Sequence, residues 1–212
     1  MMKRKVIRII AVLVFLPVPI MSAAYLYVAN SWRSAERVKI VKFVAAKVQE
    51  SQPLPDSLLN IYNAVYPFRM GKGMHSDISD RIWNGVVKDK TGRNLCYCDD
   101  IIYNVRIFFS EKLFPLTRLE AIILGFGLEE NVGSEACLSY FIRLTYDELQ
   151  PVRSLYSWHN KKLDSLTVEE FKEFLVLEKA PVYFDKFKHP DRFAARLNAL
   201  NGRLQENGFS GN

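Results

Sequence analysis

Apolar positions are unevenly spread along the chain, and the first thirty residues hold a disproportionate share of them. Met1 to Lys5 reads MMKRK, and Val6 to Val28 then runs VIRIIAVLVFLPVPIMSAAYLYV with Arg8 as its one charge. As a helix rising ~1.5 Å per residue, this stretch covers roughly 34 Å, enough for a hydrocarbon core of about 30 Å. Tyr25, Tyr27 and Trp32 stand at its far end, where amphipathic rings favour the membrane interface. The pattern predicts a transmembrane signal anchor over residues 1–32. A cleaved secretory signal is the rival reading. Ile9 to Met21 serves as its short apolar region, Ser22-Ala23-Ala24 offers small residues to a peptidase, and Pro17 and Pro19 would kink a spanning helix. Either way the bulk of the chain is exported, provided that the basic N-terminus stays inside.

Beyond the run the periodicity becomes helical. Ser34 to Gln49 places Val38, Val41, Ala45 and Val48 on one face, with Arg37, Lys39, Lys42 and Lys47 largely elsewhere. Such a helix either lies on an anionic membrane surface or packs its apolar face on the domain. Ser51 to Asp56 (SQPLPD) is a break, because proline disfavours helix in the residue before it. Residues 33–56 thus read as a juxtamembrane basic helix and linker. Ser57 to Val65 is helix-compatible, Pro67 to His75 reads as a glycine-containing loop, Asp77 to Val87 as a short helix and Lys88 to Asn94 as a polar loop. Asp99 to Phe109, Leu116 to Leu128, Ser134 to Leu144 and Thr167 to Leu177 carry apolar residues at helical spacing. Ser134 and Thr167 are N-cap candidates, and Thr167 with Glu170 has the spacing of a capping box. A last helix, Pro190 to Glu206, opens with proline in its first turn. No run alternates with period two. The expectation is a mainly α domain over residues 57–206 with a short tail, 207–212.

Composition narrows the classes. At 212 residues, 49% hydrophobic and 25% charged, the chain builds one packed domain and is too apolar for disorder. The net charge of +6 suits anionic partners, yet nine basic residues flank the apolar run and serve the membrane. Nucleic acid is suggested by charge alone and opposed by the export signal. Cys96, Cys98 and Cys137 are too few for a disulfide framework or a zinc site, and their pairing stays open. His75, His159 and His189 form no ligand cluster, and no phosphate loop or nucleophile elbow is present. Asp99-Asp100 can hold a divalent cation or complement the dipole at a helix N-terminus.

Leu163 to Leu204 reads LDSLTVEEFKEFLVLEKAPVYFDKFKHPDRFAARLNALNGRL. Its Leu166, Thr167 and Glu170, then Lys179-Ala180-Pro181, then Pro190, Arg192, Arg196, Asn198 and Arg203 follow the order and spacing of a motif series. This segment resembles the C-terminal part of the glycosyltransferase family 51 domain, the peptidoglycan glycosyltransferases of bifunctional penicillin-binding proteins and monofunctional transglycosylases. Upstream, Leu119 to Leu124 with Leu128-Glu129 resembles the family's Arg-Lys-x-x-Glu-Ala helix. Glu120 falls on the motif glutamate, and Arg118 lies near the lost basic pair. Ser134 to Tyr146 resembles a further family helix, with Tyr140 retained and Ile142 at an asparagine position. Gly92 to Asn104 stands for the Gly-Gly-Ser-Thr-Ile-Thr-Gln-Gln segment, of which Asn104 is kept.

The resemblance implies a lysozyme-like glycosyltransferase fold and an N-terminal anchor in the bacterial inner membrane, with the domain on its outer face. It implies action on a lipid-linked disaccharide-peptide precursor in peptidoglycan synthesis. It places Tyr66-Pro67 where the family has Glu-Asp, whose glutamate is the general base. A phenol of pKa near 10 is a poor base at neutral pH, and Asp77 and Asp80, with His75 beside them, are the nearest substitutes. Glu120 would assist departure of pyrophosphate through a metal or basic neighbours. Arg118, Asn104, Tyr140, Arg192 and Arg196 are the implied substrate-binding residues. No metal ligands are assigned, and the cofactor stays open with a divalent cation as candidate. The catalytic motif is eroded, and a non-catalytic binder of the precursor, or of wall-synthesis proteins, is the alternative.

Overall fold

The computed structural model describes residues 17–66, 73–76, 78–79, 96–108, 117–149, 156–158 and 160–209. Helix α1, Pro17–Asn30, passes through a 3-10 turn, Ser31–Arg33, into α2, Ala35–Glu50. Then come α3, Asp56–Val65, α4, Cys98–Phe108, α5, Arg118–Val132, and α6, Ser134–Glu148. A second 3-10 turn, Leu163–Ser165, leads into α7, Val168–Lys179, and α8, Pro190–Glu206, closes the chain. Among the described residues there is no strand, so the fold is mainly α.

The expected spanning segment is described only in its second half. Helix α1 covers that half, and Met1 to Leu16 lie outside the described residues. Among the described residues no helix is long and apolar enough to cross a membrane. Pro17 and Pro19 fall in the first turn of α1, where a missing backbone N–H leaves no intrahelical bond unmade. The expected helix over Asp77 to Val87 and the loops on either side lie largely outside the described residues, as do Asp77 and Asp80.

Two apolar clusters hold the helices. The first gathers Trp32, Val41, Val44, Val48, Ile101, Ile102, Leu124 and Leu128 from α2, α4, α5 and the turn before α2. Helix α5 is central to it because its Gly125-Phe126-Gly127 step lets two elements approach closely. A Cβ on Gly125 would stand 3.0 Å from the Asp99 backbone nitrogen, and one on Gly127 would stand 2.6 Å from the Trp32 ring. The second cluster is aromatic. Tyr62 of α3, Tyr146 of α6, Trp158 and Phe171 and Phe174 of α7 are buried together, closed over by Phe193, Leu200 and Leu204 of α8. Helix α6 joins the two, with Cys137 in the first and Leu138, Ile142 and Tyr146 in the second.

Cys98 and Cys137 form a disulfide across 39 residues, fastening the start of α4 to the start of α6, while Cys96 is buried outside that bond. Closing a loop of that length limits the unfolded chain, a stabilisation of about 4 kcal/mol in the chain-entropy treatment.

Candidate functional site

Glu120 sits in the first turn of α5. The Thr117 hydroxyl caps that helix by accepting the Glu120 backbone N–H at 3.2 Å. The carboxylate points to α2, where Arg37 grips it with both prongs: Nε donates to Oε1 at 2.6 Å and Nη2 to Oε2 at 3.1 Å. The remaining prong of Arg37 donates to the Ser31 carbonyl at 2.9 Å. Its bonds to Glu120 raise the guanidinium's pKa further above the ordinary value. Both side chains are only about a quarter exposed, at 27% and 29%, so the pair is shielded from much of the screening that weakens surface bridges.

Two positions earlier, Arg118 turns to α4 instead. It donates to Asp100 at 2.8 Å and meets Asp99 at 3.1 Å. Its guanidinium also lies 5.4 Å from the Tyr103 ring centre. Asp99 is fully buried, and a buried carboxylate needs a matching charge. The acidic pair occupies the first turn of α4, the place where it complements the helix dipole. Asn104, further along α4, and Tyr140 on α6 are each half-buried. Burial pushes the Tyr140 phenol up, and the nearby Lys47 opposes that rise.

Tyr66, at the general-base position of the resemblance, ends α3 and donates its N–H to the Tyr62 carbonyl at 2.9 Å. Its ring packs 4.9 Å from that of Tyr62 inside the aromatic cluster. On α8, Arg192 is exposed with its guanidinium 4.3 Å from the Tyr183 ring centre. One turn on, Arg196 is half-buried, and its Nε has no hydrogen-bond partner among the described residues.

The implied site residues therefore fall into two groups. Glu120, Arg118, Asn104 and Tyr140 are carried by the helices around the first cluster, and Tyr66, Arg192 and Arg196 by the helices around the second. A polar cleft of about 390 Å³ is lined by Gln52, Arg143, Asp147, Lys161, Lys162 and Asp164, and contains none of them. Arg143 closes that cleft by donating to the Gln52 and Pro53 carbonyls at 2.7 and 2.8 Å and to Asp164 at 2.7 Å.

A divalent cation does not fit these residues. Among the described residues no three His, Cys, Asp or Glu side chains gather, and Asp99, Asp100 and Glu120 are each matched by an arginine. Arg37 is the partner of Glu120 that the sequence does not reveal, since it lies 83 residues away and no local pattern links the two. The Thr117-Arg118-Leu119-Glu120 spacing does carry a signal, that of a helix start. Comparison with protein-family models, with curated proteins and with solved structures finds no match.

Proposed function

We propose that this protein is an exported, membrane-held relative of the peptidoglycan glycosyltransferases that binds the lipid-linked precursor, or its assembly machinery, without polymerising it. The lysozyme-like fold belongs to this proposal, as does the outer face of the bacterial inner membrane. The observation that carries it is the bidentate Arg37–Glu120 pair. A carboxylate held by a guanidinium at both oxygens is closed to a metal. That guanidinium, bonded to Glu120 and the Ser31 carbonyl, is engaged inside the protein rather than presented to a leaving pyrophosphate. The other position of the resemblance points the same way, because Tyr66 is packed in the aromatic core. Two further features support it. The Cys98–Cys137 disulfide suits an oxidising, exported compartment. On α8, exposed Arg192 and half-buried Arg196, one turn on, carry guanidinium groups suited to a phosphate-bearing ligand.

The test is equilibrium binding of fluorescent lipid-linked disaccharide-pentapeptide to the full-length protein in detergent. Saturable binding, weakened in Arg192→Ala and Arg196→Ala variants that keep their helical circular dichroism, is expected. Absence of binding overturns the precursor reading.

A further inference from the structure

Helix α1 is apolar nearly all round, yet only one side of it is covered. Tyr25, Val28 and Ala29 turn to the first cluster, with Tyr25 edge-on to Phe126 of α5. The other side stands open: Ile20 is 60% exposed, Met21 54%, Leu26 59% and Tyr27 69%. A helix hydrophobic on all sides is stable in water only when something encloses it. The open face does not stop at α1. Met21, Ala24 and Val28 form one wall of a groove of about 430 Å³ whose other wall is Leu119 and Ile122 of α5. Leu119 is itself 56% exposed. Tyr25, which also lines the groove, directs its hydroxyl to the His75 ring.

The occupant follows from how the chain enters and leaves this face. Toward the N-terminus, α1 is preceded in sequence by Val6 to Leu16, apolar except for Arg8. Toward its other end the exposed side chains change over roughly 10 Å from Ile20 and Met21 to Leu26 and Tyr27, and Arg33, half exposed against Trp32, follows. Apolar, then aromatic, then basic is the sequence of environments met on leaving a bilayer. We infer that the α1–α5 groove face is immersed in the acyl-chain layer, so that Leu119 and Ile122 are held in lipid together with α1. The folded domain is thereby seated on the membrane through α5 rather than tethered above it on a free stalk. This inference is independent of precursor binding, since failure of that assay leaves the lipid contact untouched.

Single-cysteine variants Leu26→Cys, Leu119→Cys and Lys162→Cys of the full-length protein, labelled with an environment-sensitive fluorophore in phospholipid vesicles, test it. The native thiols do not compete, because Cys96 is buried and the other two are bonded. With lipids spin-labelled on their acyl chains, the fluorophores at 26 and 119 lose most of their emission, and the one at 162, in the polar cleft, keeps it. Quenching at 26 with none at 119 overturns the inference and leaves α1 as a bare anchor. Loss of quenching at both positions also overturns it. Disulfide-linked dimers of Leu119→Cys would then identify a second copy as the cover, and their absence the N-terminal segment folded back.

Discussion

Thr117-Arg118-Leu119-Glu120 opens α5, and Thr167-Val168-Glu169-Glu170 opens α7. The two helix starts have the same Thr-x-x-Glu spacing, and in both the threonine hydroxyl accepts the glutamate N–H, at 3.2 and 3.3 Å. In α7 the glutamate completes the box: Glu170 turns back to accept the Thr167 N–H at 2.9 Å and takes Lys161 on both oxygens. In α5 the glutamate leaves its own helix and is held by Arg37 of α2. One carboxylate is spent on its own helix terminus and the other on joining two helices 83 residues apart. The difference shows that a motif glutamate is defined by what its carboxylate meets, which local spacing does not specify.

The largest way to separate the two starts is to reduce the disulfide. Cys98 and Cys137 both lie in the cluster around α5, and neither lies in the aromatic cluster around α7. Reduction, or a Cys98→Ser/Cys137→Ser double variant, is expected to cost about 4 kcal/mol. Hydrogen exchange monitored by mass spectrometry then rises in α4 and α5 before it rises in α7. Equal acceleration in both would mean that the two clusters unfold as one unit.

Cutting the ion pairs comes next. Arg37→Ala removes three charge-assisted bonds from a partly shielded place and is expected to cost about 2 kcal/mol in urea unfolding. Lys161→Ala, whose side chain is more exposed, is expected to cost less than about 1 kcal/mol. A double-mutant cycle with Arg37→Ala and Glu120→Gln reports the coupling directly, and no coupling would detach Glu120 from the clamp.

Removing the caps is a smaller change. Thr117→Ala and Thr167→Ala are each expected to cost about 1 kcal/mol. Only in α7 does the loss shrink in a background that removes the glutamate acceptor, Glu170→Ala, since only there do cap and glutamate bond reciprocally.

The smallest effect is acid sensitivity. The bond from Lys161, and then the Thr167 N–H, hold the Glu170 carboxyl below its ordinary value of 4.5. A carboxyl depressed in the folded state stabilises the fold above its unfolded pKa, and that stability fades as pH falls through the lower folded value. Urea midpoints taken from about pH 6 to about pH 3 should therefore fall less in Glu170→Gln than in the wild type. Parallel curves would remove the capping box from the acid response.

Much of the fold could be read from periodicity because burial imposes it. Val41, Ala45 and Val48 on one face of α2, and Phe171, Phe174 and Leu175 on α7, are the buried positions, and Pro190 opens α8 as a first-turn proline should. The ends were less legible. Helix α5 runs on to Val132, four residues past the expected stop, because its carbonyls are finally capped only at Gly133, whose φ of 82° closes the turn. The site was least legible. The resemblance singled out Glu120, Arg118 and Arg192, but the groups they meet, namely Arg37, Asp99 and the Tyr183 ring, are tertiary neighbours. The Cys98–Cys137 pairing was likewise open, since spacing along the chain says nothing about which helix ends meet in space.

The role of Glu120 is tested most directly by incubating full-length wild type and Glu120→Gln with lipid-linked disaccharide-pentapeptide and separating the products by size. If the Arg37 clamp has taken this carboxylate out of chemistry, neither protein makes glycan chains, and both retain precursor in the binding assay. Glycan chains made by the wild type and lost in Glu120→Gln would show instead that Glu120 acts on the substrate.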